Sequence, residues 1–536
     1  MTRKLFLFLT VAATAAGAPE AAAPMASPPP NIVYILADDL GYGDVACYNA
    51  QSKLPTPRID RLATEGMKFT DVHSASACTP TRYGILTGRY AFRSRVPWAV
   101  LDSYDPPLIE SGRLTVPALL KRQGYRTACI GKWHLGWDWP KGNRPDGEPD
   151  FTQPIANGPI TRGFDEYFGT HVPNQPPFAF IENDRLTEQP TARFPGKDAE
   201  QFVFKSGPMV PGWKFENIMP TLAVRVEDYL RARADDRQRF FLYYTLTIPH
   251  EPLTPTAEFM GKSGINRVGD LILQTDAAVG AVLDALRKLG LEENTLVIFA
   301  SDNGHGPGTG VPALLAAGHD PSRPYRGYKG SLLEGGHRIP FIVRWPGKVK
   351  AGVVCGELIS LTSLMATCAE LTGAKVPADA GEDSHSILPL LLDRPGANAT
   401  HETLVHAGGN GFAVRQGPWK LVHAKEISPQ RQQMYPEATS GLFNVERDPA
   451  EKNNLIAQHP NIASQLEEQL NRIQRGAGSG SERTRSTKAD VSVSDMSNAT
   501  DDENARMPTA QKSAAAKSMD AAATGSGEVG RTSRNG

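Results

Sequence analysis

Four short runs, NIVYIL (31–36), RTACI (126–130), FFLYYTLT (240–247) and TLVIFA (295–300), are apolar at successive positions rather than at alternate ones. Runs of this length, rich in β-branched and aromatic residues, predict strands buried on both faces. Between them, PRIDRLATEG and LILQTDAAVGAVLDALRKLG place apolar residues at helical spacing, and each stops at a glycine, the usual end of a helix. This alternation predicts an α/β fold, a large, mostly parallel sheet flanked by helices, over residues 31–374. From 375 to 475 the periods shorten. GFAVRQGPWKLVHA and GLFNVERDP read as two strands with alternating faces, and NIASQLEEQLNRIQ as an amphipathic closing helix. They predict a smaller C-terminal α+β subdomain, a short antiparallel sheet plus a helix. Residues 139–215 are rich in Pro, Gly and Asn and show little periodicity, which in an enzyme suits loops that shape a pocket.

The two ends follow neither pattern. Residues 1–23 combine Arg3 and Lys4 with an apolar run from Leu5 to Ala18 and small residues after it, the make-up of a cleaved export signal. A linker follows at 24–30, and the mature chain is expected to be periplasmic or secreted, with no membrane attachment after cleavage. Residues 476–536 contain no aromatic side chain and no sustained apolar period, so they predict a disordered tail. Lys and Arg number 57 against 58 Asp and Glu, a net charge of −1. That balance gives no general attraction to nucleic acid, so no nucleic-acid partner is expected, and an anionic ligand must be recognised locally. The five cysteines are odd in number and scattered, unlike a disulfide framework.

The residues just beyond each apolar run carry the chemistry. NIVYILADDLGYGD ends its strand at Asp38 and Asp39, TACIGKWHLG reaches Lys132 and His134, YYTLTIPHEP reaches His250, and TLVIFASDNGHG reaches Asp302 and Asn303. Each alone reads equally well as a turn signal, a buried histidine or a solvated lysine. Delivered together to the carboxyl ends of neighbouring strands, they predict one shared site. Carboxylates about 4 Å apart repel by about 4 kcal/mol at an effective dielectric of 20, which a divalent cation would relieve. Asp38, Asp39, Asp302 and Asn303 offer only oxygen donors, a set that favours Ca²⁺ or Mg²⁺ over zinc. Beside them stands CTPTRYGILTGR, residues 78–89. Pro80 and Gly88 predict a helix over Thr79–Thr87 with Cys78 at its start and Arg82 one turn along. A plain cysteine at such a helix start, near Arg82, is expected to have a lowered pKa.

The pattern Cys78-x-Pro80-x-Arg82, extended by Leu86-Thr87-Gly88-Arg89, resembles the signature of the type I sulfatases of the alkaline phosphatase superfamily. The resemblance runs from Asn31 to Leu455 and takes in KGSLLEGGHRIPFIVRWPG and LFNVERDPAEKNNL. It implies that a maturation enzyme converts Cys78 to formylglycine, whose hydrate is the nucleophile. It also implies that Asp38, Asp39, Asp302 and Asn303, with the modified Cys78, hold one Ca²⁺. Arg82, Lys132 and His134 would orient and polarise the hydrate, while Lys132, His250 and Lys329 would bind the sulfate and assist the leaving oxygen. The reaction class implied is sulfuric ester hydrolysis. Export and the long loops point to a sulfated carbohydrate, with Trp137, Trp139, His171, Asn174 and Gln175 as candidate sugar contacts. Two other readings stand beside this one: a phosphonate or phosphodiester hydrolase on the same scaffold, and an inactive sulfated-glycan binding protein.

Overall fold

In the computed structural model the described residues are 28–142, 147–236, 238–394, 397, 401–409, 411–424 and 440–476. The export signal expected from the sequence, and all of the expected C-terminal tail beyond Gly476, lie outside them. The first strand, Asn31–Asp38, is buried at every position and pairs in parallel with Phe240–Pro249 on one side and Thr295–Ser301 on the other. Successive side chains of a strand point to opposite faces, so Ile32, Tyr34 and Leu36 enter one apolar core while Val33, Ile35 and Ala37 enter a second. The run of apolar residues is the mark of a strand covered on both sides.

Arg126–Lys132 and Glu166–Thr170 continue the parallel array outward from Phe240–Pro249. Short strands close both flanks, an antiparallel hairpin on one and, on the other, the antiparallel Phe341–Arg344 followed by the parallel pair Met67–Phe69 and Val353–Cys355, giving ten strands in all. The helices Pro57–Glu65, Ile218–Asp236 and Arg267–Lys288 contribute to one core, Cys78–Thr87 and Val116–Arg122 to the other. The mostly parallel, helix-flanked sheet expected from the sequence is therefore present. The stretch 139–215 is less irregular than its composition suggested: it supplies Glu166–Thr170 to the main sheet, the hairpin Ile181–Glu182 with Arg185–Leu186, and the pair Ala192–Phe194 with Gly207–Met209.

The C-terminal sheet has four antiparallel strands, Thr403–Gly408, Gly411–Gln416, Trp419–Ala424 and Gly441–Asn444, with the helix Pro460–Gln474 packed on it. GFAVRQGPWKLVHA is thus a hairpin and not one strand. Its turn falls at Gly417, where φ is +53°, a conformation glycine adopts without a Cβ penalty. The small sheet does not bury itself alone. Tyr90, Phe92 and Trp98, from the segment after the Cys78 helix, share a core with Val405, Val414, Leu421 and Leu466.

Candidate active site

The site forms where parallel strands end. Asp38 is the last residue of its strand, and the chain then turns through Asp39 in the left-handed region, with φ +65°. His250 and Asp302 follow the two flanking strands, and both are tied to the central one: His250 N donates to Asp38 O at 3.1 Å and Asp302 N to Ala37 O at 3.0 Å. Asp302 Oδ1 in turn accepts from Asp39 N at 3.1 Å. Lys132 closes the strand Arg126–Lys132. Gly131 before it must be glycine, because at φ +123° an added Cβ would lie 1.8 Å from Thr245 O.

The helix carrying Cys78 spans Cys78–Thr87, one residue earlier than its signals suggested, and all ten residues are buried. It ends at Gly88, φ +65°, whose N–H caps Gly84 O at 2.9 Å. Thr79, which sequence reasoning passed over, locks the helix start to the site: its hydroxyl donates to His134 O and accepts from Leu101 N, both at 3.1 Å. Arg82 is fully buried. Its guanidinium donates to Lys132 O at 3.0 Å and Asp302 Oδ2 at 2.7 Å, and lies 3.7 Å from Asp38 Oδ1. Lys132 Nζ sits 2.6 Å from Asp38 Oδ2, and Lys329 Nζ 2.8 Å from Asp39 Oδ1. Asn303 donates to Asp39 Oδ1 at 2.7 Å. Donor atoms of Asp38, Asp39, Cys78 and His250 all fall within 4.8 Å of one another. The structure therefore gathers Asp38, Asp39, Cys78, Arg82, Lys132, His250, Asp302, Asn303 and Lys329 through this web of contacts, and His134 reaches it through Thr79.

Three carboxylates face three cations here: Asp38, Asp39 and Asp302 against Arg82, Lys132 and Lys329. Repulsion among the carboxylates is thus already compensated, and charge balance by itself does not call for a metal. The oxygen inventory does. Asp38 Oδ1 and Asn303 Oδ1 are buried with no hydrogen-bond partner, an arrangement that costs free energy unless something binds them. Both are hard oxygen donors beside the carboxylates of Asp39 and Asp302, so these four residues fit a Ca²⁺ or Mg²⁺ ion.

Burial opposes charge throughout. It pushes the Asp302 carboxyl up to about 7, with the charge of Asp38 adding to the rise. Burial would raise Asp38 as well, but Lys132, His250 and Arg82 outweigh it and hold that carboxyl well below the usual range. The expected lowering at Cys78 does not occur: burial pushes the thiol up to about 12, although Lys132 and Lys329 pull the other way. As a thiol, Cys78 is a poor nucleophile. Burial, then the charge of Lys132, keeps His134 neutral by drawing its pKa well below the ordinary value.

Exposure rises toward Lys329 and Glu251. Asp38, Cys78, Arg82, Lys132, Asp302 and Asn303 show no accessible surface, whereas the Lys329 and Glu251 side chains are each 19% exposed. Glu251, also missed from the sequence, touches His250 twice. Its carbonyl lies 2.6 Å from His250 Nδ1 and its Oε2 3.4 Å from the same atom, and its Oε1 accepts from Asn174 at 3.1 Å. Of the proposed sugar contacts, Trp137 is instead part of the apolar core and Trp139 packs against it in a cluster with Tyr104 and Phe151. Large aromatic side chains give more by burial than by lining a wet pocket. His171 is buried, with Nε2 against Asp102 O at 3.1 Å. Asn174 and Gln175 stay half-buried.

Residues 30–374 match the sequence model of the sulfatase family, and residues 328–476 that of the N-sulphoglucosamine sulphohydrolase C-terminal region. The chain is similar to the N-acetylgalactosamine-6-O-sulfatase of Bacteroides thetaiotaomicron, 33% identical over 487 residues covering 83% of this chain and 93% of that protein. It is also similar to the N-acetylgalactosamine-6-sulfatase of Rattus norvegicus, 32% identical over 76% of this chain and 72% of that one. A solved structure described in connection with the metabolism of multiple glycosaminoglycans by Bacteroides thetaiotaomicron superposes with a TM-score of 0.75. It is 32% identical and covers 84% of this chain and all of that one.

Proposed function

Because this chain belongs to the sulfatase family and is a sulfuric ester hydrolase, we propose that it removes sulfate from a sulfated carbohydrate, with Cys78 serving as formylglycine and Ca²⁺ held by Asp38, Asp39, Asp302 and Asn303. The observation that carries this reading is the placement of a thiol too basic to attack, Cys78, at a buried helix start among three cations and a set of oxygen donors with two unmet members. A cysteine meant to act as a thiolate would be placed where its pKa falls. One meant for conversion need only be held in position. A formylglycine hydrate supplies one hydroxyl to attack sulfur and a second through which the aldehyde is regenerated. A bound Ca²⁺ would supply positive charge opposite the transferring group and satisfy the unpaired oxygens of Asp38 and Asn303.

The chain's own residues do the rest. Arg82, fixed by Asp302 and Lys132 O one turn along the helix from residue 78, keeps its positive charge in the site and cannot turn away. Lys132 and Lys329 place ammonium groups where negative charge collects, preorganised before substrate arrives. Lys329 lies on the open side and meets the sulfate first. His250 directs Nδ1 at the Glu251 carbonyl, so Nε2 is the atom left to hold a proton and pass it to the leaving oxygen. His134, kept neutral, accepts a hydrogen bond at Nδ1, which has no partner among the described residues.

The carbohydrate reading draws on the relatives named for N-acetylgalactosamine 6-sulfate and on the half-buried amides of Asn174 and Gln175 near the open side. Export to the periplasm or beyond, a formylglycine-generating maturation partner, and the division at 374/375 belong to the same proposal. Among the described residues no helix is long and apolar enough to cross a membrane. Mass spectrometry of the tryptic peptide containing residue 78 tests the nucleophile: active enzyme should carry the aldehyde, and Cys78→Ala should be folded and inactive. Active protein holding only the thiol would overturn the proposal. Substrate class is read from kcat/KM on a panel of sulfated monosaccharides and oligosaccharides against an activated aryl sulfate. Failure on every sugar, with good turnover of the aryl ester, would remove the carbohydrate assignment and leave the sulfatase reaction intact.

A further inference from the structure

Asp44 ends the same acidic run as Asp38 and Asp39, yet the mechanism above gives it no task. It lies in the short helical turn Tyr42–Asp44 and has no accessible surface. Three donors converge on its carboxylate: Gly41 N on Oδ2 at 2.8 Å, His305 Nδ1 on Oδ2 at 2.9 Å and His319 Nε2 on Oδ1 at 2.8 Å. Lys53 N donates to His319 Nδ1 at 3.2 Å, which fixes the proton of that ring on Nε2, toward Asp44.

Each donor comes from a segment that serves the site. Gly41 follows Asp39 by two residues. His305 follows Asn303 by two, and its carbonyl accepts the backbone N–H of Lys329 at 3.0 Å. His319 opens the stretch through Pro321, whose carbonyl accepts from Gly43 N at 2.8 Å. The segments are in close contact: a Cβ on Gly41 would lie 2.2 Å from Pro321 O and 3.1 Å from His305 Cβ, and one on Gly306 2.9 Å from Asp39 Oδ2. Asp39 itself is a non-glycine residue at φ +65°, a conformation that persists only when its surroundings hold it.

We infer that Asp44, acting through His305 and His319, is a positioning residue that sets the spacing between the Asp38–Asp39 turn and the Asp302–Asn303 turn, and with it the backbone of Lys329. It lies outside the proposed ligand set. Its carboxylate is bonded to Gly41 beyond the first turn, to His305 beyond the second and to His319 in the loop leading to Lys329. The Ca²⁺ part of this inference rests on the proposed function, whereas the loop-spacing part does not. Groups that orient metal ligands from behind typically change affinity about ten- to a hundredfold when removed.

Two measurements on the full chain test it. Calorimetric titration of metal-free protein with CaCl₂ should show Asp44→Asn and His305→Leu binding Ca²⁺ about ten- to a hundredfold more weakly than the parent. His305→Asn, whose amide N–H stands in for Nδ1–H, should recover most of the affinity. Hydrogen exchange followed by mass spectrometry, also without metal, should show faster exchange in Asp44→Asn for peptides covering 302–309 and 326–331 but not for the sheet at 403–424. Unchanged exchange in those peptides, or a rise as large at 403–424, would overturn the positioning role and mark Asp44 as general scaffold. Equal affinity in parent and Asp44→Asn would overturn its link to the metal. A parent chain that takes up no Ca²⁺ would sink the metal assignment, and the exchange arm would still decide the role of Asp44.

Discussion

Arg82 has no contact with solvent, yet it is the group on which the buried charges depend. It bridges Asp302 and the Lys132 carbonyl and faces Asp38. Removing the cation while leaving two buried carboxylates is the costly way to break such a set, about 3–5 kcal/mol. Arg82→Met should therefore lower the urea midpoint by a stability change of that size and abolish turnover. Arg82→Lys should recover part of the stability but not the activity, because one ammonium cannot reach the carbonyl and the carboxylate with the fork geometry of a guanidinium. Urea titration together with kcat on an aryl sulfate separates the two effects, and a Lys variant with near-normal kcat would show that fork geometry is dispensable. At this scale the sequence told residue type and place well: Asp38, Lys132, His250 and Asp302 could be read as strand-end residues. Their pairings could not. Lys132 meets Asp38 across 94 residues and Lys329 meets Asp39 across 290, and no local period encodes such distances. Nor could the sequence show that burial would raise the Cys78 thiol, since the helix start and Arg82 argued for the reverse.

The helix Cys78–Thr87 is buried on every side, so it has no amphipathic stripe to announce it. Pro80 and Gly88 gave it away instead, one by fitting the first turn and the other by ending it. Gly88 does more than stop the helix. An added Cβ would lie 2.9 Å from Ser384 Cβ and 3.0 Å from Gly381 Cα, on top of the left-handed strain at φ +65°. Gly88→Ala should cost about 1–3 kcal/mol by thermal or urea unfolding. Because the strain is transmitted along one buried helix to residue 78, kcat should fall more than KM changes. A variant with parental stability would mean that the segment 381–384 yields freely. Among the strands, the central ones were legible because both faces are covered. The hairpin at 411–424 was not, since its alternation runs through Gly417-Pro418 with little interruption. The strand Thr403–Gly408 was missed because six residues that include His406 and end in glycine give a weak period.

On the scale of the whole molecule, the two sheets meet across a buried seam of charge to whose residues the sequence assigned no role, although Glu334, His337 and Glu451 lie in segments that carry the family resemblance. From the catalytic side come Asp71, His73, Glu334 and His337, and from the C-terminal side Arg415, Lys420 and Glu451. Arg415 pairs with Asp71 at 2.6 Å. Lys420 lies 3.0 Å from both Glu334 and Glu451 and 3.1 Å from His337 Nε2, while His337 and His73 face each other through Nδ1 at 3.0 Å and His73 Nε2 reaches Asp71 at 2.8 Å. His73 Nε2 also faces Arg415 Nη1 at 3.0 Å, and His337 Nε2 the Leu332 carbonyl at 3.1 Å. One ammonium, that of Lys420, must serve two carboxylates, and they are unequal. Lys420, His73 and Arg415 outweigh burial at Glu334 and hold it well below the ordinary range, whereas burial and the charge of Glu334 push Glu451 up to about 7. A carboxyl whose folded pKa stands above its unfolded value, here about 7 against 4.5, contributes stability that is fully present below the unfolded value and is lost as pH rises through the folded one. The docking of the C-terminal sheet should therefore weaken between about pH 5 and pH 7.5. Glu451→Gln keeps an acceptor for the Glu334 N–H, which donates to Glu451 Oε2 at 2.7 Å, and removes the titration. The difference in unfolding free energy between parent and variant should shift in favour of the variant across that window, by on the order of 1–3 kcal/mol. Urea titrations at closely spaced pH values measure it. A difference that stays flat from pH 5 to 7.5 would show that Lys420 stabilises the ionised Glu451 as fully as water does, and that the seam is held by charge pairing at every pH.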